Sequence, residues 1–255
     1  MHVVIIFDHP YGVDAGQDVP HHRSFSAALL AATLQGLGES ADSVDVIDLH
    51  GDAFNPVMTR DDLVALRLEQ TSDPRILDYR RRLSLANHLV FIYPTWWMAM
   101  PAGTKGFLDR TLGPGFAYDE PKPGGVLKGR LHQLSGVTVL TPMTTPRWAY
   151  LPVFGAPGSR ILLRGTFRLL GIRNLKFVAF AGPAGRTLLQ RKRMLESTRR
   201  RFARLRAPRR TGAVEFPQSG IPPVSGRAAD VTSPYTEMRE PADAAEHTRR
   251  QRPGG

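Results

Sequence analysis

The chain of 255 residues contains no cysteine. That excludes a disulfide framework, a thiolate metal site and a cysteine nucleophile, and it is compatible with a reducing compartment. Also missing is an uninterrupted apolar stretch of the roughly 18–20 residues needed to cross a bilayer. The longest candidate, 89–103, is broken by Pro94 and Pro101. The hydrophobic run beginning at Val3 has no basic segment before it and no small-residue cleavage site after it. No secretory signal is read there, and a cytoplasmic protein with no membrane span is the expectation. Neither G-x-G-x-x-G nor G-x-x-x-x-G-K-[ST] occurs, so two common nucleotide-binding loops are unsupported.

Charge of one sign is scarce over most of the length. The net charge is +11, yet residues 1–185 hold 18 basic and 16 acidic side chains. The excess sits in 186–255, and chiefly in 186–206, where nine Lys and Arg face the single acid Glu196. Within that stretch Leu188, Leu195 and Phe202 recur every seven residues, with Leu205 adjoining. The pattern predicts a helix docked by one apolar stripe with a solvated basic back. Binding to nucleic acid or an anionic surface is the less favoured reading of the same residues.

Strand and helix patterns alternate along the chain. Continuous or alternating apolar runs at 3–7 (VVIIF), 44–49 (VDVIDL), 89–93 (LVFIY), 137–141 (VTVLT) and 175–180 (LKFVAF) read as strands. Between them come a helix over 24–37 opening on Ser24, helix starts at Thr59 and Ser72-Asp73-Pro74, a helix opening at Pro101, and one over 160–170 closed by Gly171. Five repeats of this alternation predict an α/β doubly wound, five-stranded parallel sheet over 1–206. The Pro-, Gly- and charge-rich residues 207–255 read as a disordered tail.

Such sheets bind ligands beyond the carboxyl ends of their strands. After the first strand come Asp8-His9-Pro10 and then Ser24-Phe25-Ser26 at a helix start, where unpaired N–H groups suit a phosphate; a turn histidine and a simple cap are the plainer readings. After the third comes Pro94-Thr95-Trp96-Trp97, a large aromatic surface where a ligand is expected, with closing the core or contacting another subunit an equal reading. After the fourth comes Thr144-Thr145-Pro146-Arg147-Trp148, whose hydroxyls and amides suit the edge of a planar heterocycle. Lys105 and Asp109, four apart on a helix, are spaced to pair structurally.

Together, D-H-P…S-F-S, V-I-D-L-H…F-N-P and F-I-Y-P-T-W-W-M-A-M-P-A-G-T-K-G-F-L-D-R…G-F-A-Y resemble the flavodoxin-like NAD(P)H:quinone oxidoreductases, the relatives of DT-diaphorase and modulator of drug activity. The resemblance covers residues 2–205, and its 93–118 block is the most specific part. It implies an enzyme that carries two electrons from NAD(P)H, through FAD or alternatively FMN, to a quinone or similar acceptor. It also implies a homodimer. His9, Ser24, Phe25 and Ser26 would receive the phosphate-ribityl part, Pro94, Thr95, Trp96 and Trp97 the ring system, and Thr144 and Thr145 its pyrimidine edge. Fixed donors at that edge would stabilise negative charge developing during transfer. The chain departs from the family in the fifteen-position separation of His9 from Ser24, in Ser26 where asparagine is common, and in Pro146-Arg147 where glycines often follow the threonines. The family's proton-assisting tyrosine and histidine align roughly with Trp148 and Phe154, with Tyr150 as a substitute acid–base candidate. A regulatory flavoprotein subunit that modulates a partner such as an ion-efflux system is the alternative.

Overall fold

The computed structural model describes residues 1–16, 24–71, 73–122 and 124–206. They fall in a compact unit, Met1–Arg209. The expected tail, Ser72 and the connection 17–23 lie outside the described residues.

Strand β1 (His2–Phe7) is buried from Val3 onward because it is covered on both faces. Its side chains alternate between two cores: Val4 and Ile6 enter one, Val3, Ile5 and Phe7 the other. Helix α1 (Phe25–Leu37) follows, then β2 (Ser43–Asp48), α2 (Arg60–Arg67), α3 (Pro74–Leu85), β3 (His88–Ile92) and α4 (Ala102–Thr111). A small antiparallel pair, β4 (Tyr118–Asp119) and β5 (Lys128–Gly129), precedes β6 (Gly136–Met143). Two short helices, α5 (Arg147–Tyr150) and α6 (Pro157–Ser159), lead through a wide helical segment to β7 (Asn174–Ala181) and α7 (Leu188–Ala203).

Five strands form one parallel sheet in the order β2-β1-β3-β6-β7. The chain moves outward from β1 to β2 and then, from β3, outward on the other side. The strand order therefore reverses between β1 and β3, where doubly wound sheets open a crevice at their carboxyl ends. One face is covered by α3, α4 and residues 160–168, through Tyr79, Phe107 and Phe167 among others. The opposite face is covered by α1 and α7.

Local chemistry starts each helix. Ser24 caps α1 by accepting from the Ala27 N–H at 3.2 Å. Thr59 and Asp62 form a reciprocal capping box on α2, and Asp73 caps α3, with Pro74 in the first helical position. Lys105 and Asp109 pair on α4, with an Nζ–Oδ1 distance of 2.5 Å. Among the described residues no helix is long and apolar enough to cross a membrane.

One expectation is refined and one corrected. The helix expected over 160–170 is present and winds as a π-helix over 160–168. The wider turn places Leu162, Leu163 and Phe167 together in the core, and the Thr166 hydroxyl donates to the Ile161 carbonyl five residues back, at 3.2 Å. The apolar stripe of α7 also excludes Leu188, which is 61% exposed in the first turn. Its inner face is instead Met194, Leu195, Thr198 and Phe202, continued by Leu205. There α7 and α1 come so close that a Cβ at Gly36 would lie 2.2 Å from the Arg199 carbonyl oxygen.

Candidate active site

The loops that leave β1, β3 and β6 are tied to one another by backbone bonds that prolong the sheet. The Asp8 N–H donates to the Ile92 carbonyl at 3.0 Å, Tyr93 to Leu140 at 3.3 Å and Thr95 to Pro142 at 2.8 Å. Their positions are thus set by strand register, on a rigid floor.

At the end of β1, Asp8 is buried. Its Oδ2 accepts from the Thr104 N–H at 2.6 Å and the Thr104 hydroxyl at 2.7 Å, and its Oδ1 lies 3.0 Å from His50 Nε2. A Cβ at Gly103 would lie 2.7 Å from the same carboxylate, so the approach of α4 to Asp8 requires glycine there. His9 is half-buried, stacked on Phe7 and edge-on to Tyr11. Its Nδ1 accepts from the Tyr11 N–H at 3.2 Å, which assigns the neutral ring's proton to Nε2. Burial, and next the neighbouring His50, lower its pKa below the ordinary histidine value. His9 is therefore a neutral donor at physiological pH.

The amino end of α1 holds Ser24 and Ser26, both buried, and Phe25, which meets Phe180 edge-on at 5.9 Å. The Ser24 N–H donates to the Ala15 carbonyl, which fixes the entry into the helix.

The loop after β3 carries the most unusual backbone. Trp96 and Ala99 exchange both of their N–H···O bonds at 3.0 Å, enclosing Trp97 and Met98 at φ +48° and +65°. Two central residues with positive φ, closed in this way, match a type I′ turn, which ordinarily takes Asn and Gly. Holding two bulky residues there costs on the order of 1–3 kcal/mol each. Trp97 is 99% exposed and Trp96 47%. Pro94 and Thr95 are partly buried beneath them, and the Thr95 and Thr141 hydroxyls lie 2.7 Å apart.

After β6, Thr144 is exposed and the Thr145 hydroxyl donates to the Met98 sulfur at 3.7 Å, which joins the second and third loops. Trp148 and Phe154 are exposed, whereas Tyr150 is fully buried. The Tyr150 hydroxyl donates to the Met98 carbonyl at 3.3 Å and accepts from the Gly158 N–H at 3.1 Å. Burial raises its pKa, so it stays protonated. Expected as an acid–base group, it stands behind the turn and not on the open face. Tyr93 is likewise buried; among the described residues its hydroxyl has no hydrogen-bond partner, and its pKa is pushed up by burial and then by Tyr150 and Asp8.

The structure thus gathers His9, Pro94–Trp97, Thr144 and Thr145 on the ends of neighbouring strands, with the α1 start joined to the loop after β1 through the Ala15 contact. Sequence reasoning assigned no role to Asp8, His50, Gly103, Thr104, Met98 or Gly158. The cue for Asp8 was Pro101, which starts α4 without a side-chain cap of its own. Among the described residues no grouping of His, Asp and Glu could hold a metal ion.

These residues fit a flavin on three observations: an exposed aromatic on a preformed turn, a neutral imidazole donor, and a helix start beside the strand ends. The flavodoxin-like fold family model matches residues 1–204. An uncharacterized NAD(P)H oxidoreductase of Haemophilus influenzae is 30% identical over 185 residues, covering 71% of this chain and 83% of that protein. The mouse ribosyldihydronicotinamide dehydrogenase [quinone] is 31% identical over 136 residues, which is 46% of this chain and 58% of that one. Among solved structures, Smu.1420 of Streptococcus mutans superposes with a TM-score of 0.67 at 26% identity, covering 80% of this chain and 100% of its own. The NAD(P)H:quinone oxidoreductase of Methanothermobacter marburgensis, at 24% identity, shares the fold with a TM-score of 0.65 over 80% and 96%. With the strand order, the three strand-end loops and these likenesses in agreement, the chain belongs to the flavodoxin-like NAD(P)H:quinone oxidoreductase family.

Proposed function

We propose that the chain is a flavin-dependent oxidoreductase that carries two electrons from NAD(P)H to a quinone or similar acceptor. The carrying observation is the set of loops after β1, β3 and β6, locked in register and leaving Trp97 wholly exposed on a preformed turn.

Residues 1–206 form the flavin-binding domain in this reading. The isoalloxazine, when bound, supplies reversible two-electron chemistry, and the protein supplies position and electrostatics. His9, through Nε2–H, together with Ser24, Phe25 and Ser26, would hold the phosphate-ribityl part. The positive end of α1 adds attraction for phosphate. Pro94, Thr95, Trp96 and Trp97 would line one face of the ring and exclude water from it. Thr144 and Thr145 would donate to its pyrimidine edge, where fixed donors favour the charge of the reduced state. The same open face would receive NAD(P)H and then the acceptor in turn.

Assembly as a homodimer completes this reading. Trp148, Leu151, Val153, Phe154 and Ile161 are all exposed apolar side chains near the third loop, a surface that a second copy would cover.

The test is an absorbance spectrum of freshly purified protein, mass spectrometry of whatever it releases, and steady-state turnover with NADH or NADPH and a soluble quinone. A yellow preparation that turns over quickly alone supports the enzyme, and the released mass separates FAD, the expectation from sequence, from FMN. A yellow protein without turnover supports the regulatory alternative. Colourless protein that takes up neither flavin on reconstitution defeats both.

A further inference from the structure

The turn at Trp97–Met98 is held from behind. Two donors converge on the Met98 carbonyl: the Gly158 N–H at 3.1 Å and the Tyr150 hydroxyl at 3.3 Å. Those donors are themselves linked, since Gly158 N–H also lies 3.1 Å from the Tyr150 oxygen. The Tyr150 ring is fixed independently, stacked on Phe177 of β7 at 5.9 Å and 7° and packed with Met143 and Ala156. Its hydroxyl is therefore delivered to the turn by the sheet itself. There is no room to spare, because a Cβ at Gly158 would stand 2.9 Å from that hydroxyl and 3.1 Å from the Met98 carbonyl oxygen.

Neither Trp97 nor Met98 favours positive φ, and neither carries the short polar side chain that eases it. An exposed loop with such residues relaxes unless its surroundings over-determine it. We propose that Tyr150 is a positioning residue: its hydroxyl, with the Gly158 amide, holds the Trp97–Met98 turn in its left-handed form, so that the platform for the flavin ring exists before the flavin arrives. The consequence for cofactor affinity rests on the flavin reading above, whereas the clamp is testable without any cofactor. A preformed platform spares the binding step the cost of ordering the loop.

Tyr150→Phe keeps the ring stack and removes only the hydroxyl. In flavin-free protein, amide hydrogen exchange at Ala99 and Gly158 should quicken in this variant while the amides of β3 and β6 stay as in the parent. Flavin affinity should fall by about three- to tenfold, as for one lost hydrogen bond. Met98→Gly, which takes φ of +65° without penalty, should restore most of that affinity when combined with Tyr150→Phe. A tyrosine that served only the core would gain nothing from a change at 98. Gly158→Ala gives an independent approach, pushing on the same clamp while keeping Tyr150 whole, and should loosen the same amides. Unchanged exchange in both single variants overturns the proposal, as does a flavin-binding parent whose Tyr150→Phe form binds equally well or is not rescued at 98. A parent that takes up no flavin defeats the flavin reading instead, and the exchange comparison still decides the clamp.

Discussion

Asp8 caps a helix to which it is not connected in sequence: one carboxylate oxygen, at the end of β1, accepts both the N–H and the hydroxyl of Thr104 in the first turn of α4. Pro101, at the natural capping position, makes no side-chain cap of its own. A negative charge thus meets the positive end of the helix inside the protein, and His50 neighbours its second oxygen. Asp8→Ala should lower stability by about 1–3 kcal/mol, because a buried N–H loses its charged acceptor. Asp8→Asn, which keeps an acceptor oxygen, should lose less. Thermal unfolding of flavin-free protein measures both.

Ser24→Asp separates the two roles of that position. Aspartate caps a helix as well as serine does, so the melting temperature should hold. The added charge would face the cofactor phosphate, and flavin affinity should drop by roughly tenfold or more. Equal affinity in a titration would remove the phosphate from the start of α1.

Trp97→Ala should strip flavin from the purified protein with little effect on the fold. A side chain 99% exposed contributes almost no burial, and such substitutions usually stay within about 0.5 kcal/mol. Flavin content per chain and the unfolding midpoint, measured side by side, give the comparison. Equal flavin content would move the ring elsewhere.

His88 predicts an acid-sensitive fold. It is buried at the start of β3 with Nε2 2.9 Å from the Thr138 hydroxyl. Burial, and then Lys176, lower its pKa to about 4. The unfolded chain, with a histidine pKa near 6.5, binds that proton first as pH falls. The stability from keeping His88 neutral is therefore complete above about pH 6.5 and drains away between there and about pH 4, by an amount on the order of 2–3 kcal/mol. Denaturant titrations at pH 7 and 4.5 should show the loss in the parent and a smaller one in His88→Gln.

The basic back of α7 offers its own check. Arg199 is bound to Glu39 and Glu196, and Arg200 to Glu196, so reversing either would also break an ion pair. Lys192, Arg193, Arg201 and Arg204 line an open concavity of about 590 Å³. Reversing Arg193, Arg201 and Arg204 should leave polyanion affinity unchanged at physiological salt if this face is merely solvated. A marked fall would establish a binding role for it.

The sheet was legible because its strands are buried on both faces, and continuous runs such as VVIIF and LVFIY leave little else to be read. Helix starts were legible at Ser24, Thr59 and Asp73, where the capping side chain is a sequence neighbour of the amide it serves. What escaped was whatever depends on distant partners. Asp8 meets Thr104 across 96 positions, and Tyr150 meets Met98 across 52. Neither pairing leaves a periodic trace. The positive φ of Trp97 and Met98 was hidden for a related reason: neither residue type signals it, and the tertiary clamp overrides their preference. Leu188 was misjudged because a seven-residue repeat says nothing about where the surface it packs on comes to an end.

The close contact of α1 and α7 bears on anyone wishing to shorten this chain. Phe202 and Leu205 plug the layer beneath α1, and Ser40 donates its hydroxyl to the Phe202 carbonyl at 2.6 Å. A truncation that stopped short of Leu205 would uncover the sheet where α1 ends, at Gly36 and Ser40, the opposite end of that helix from Ser24. A shortened chain therefore has to keep Leu205.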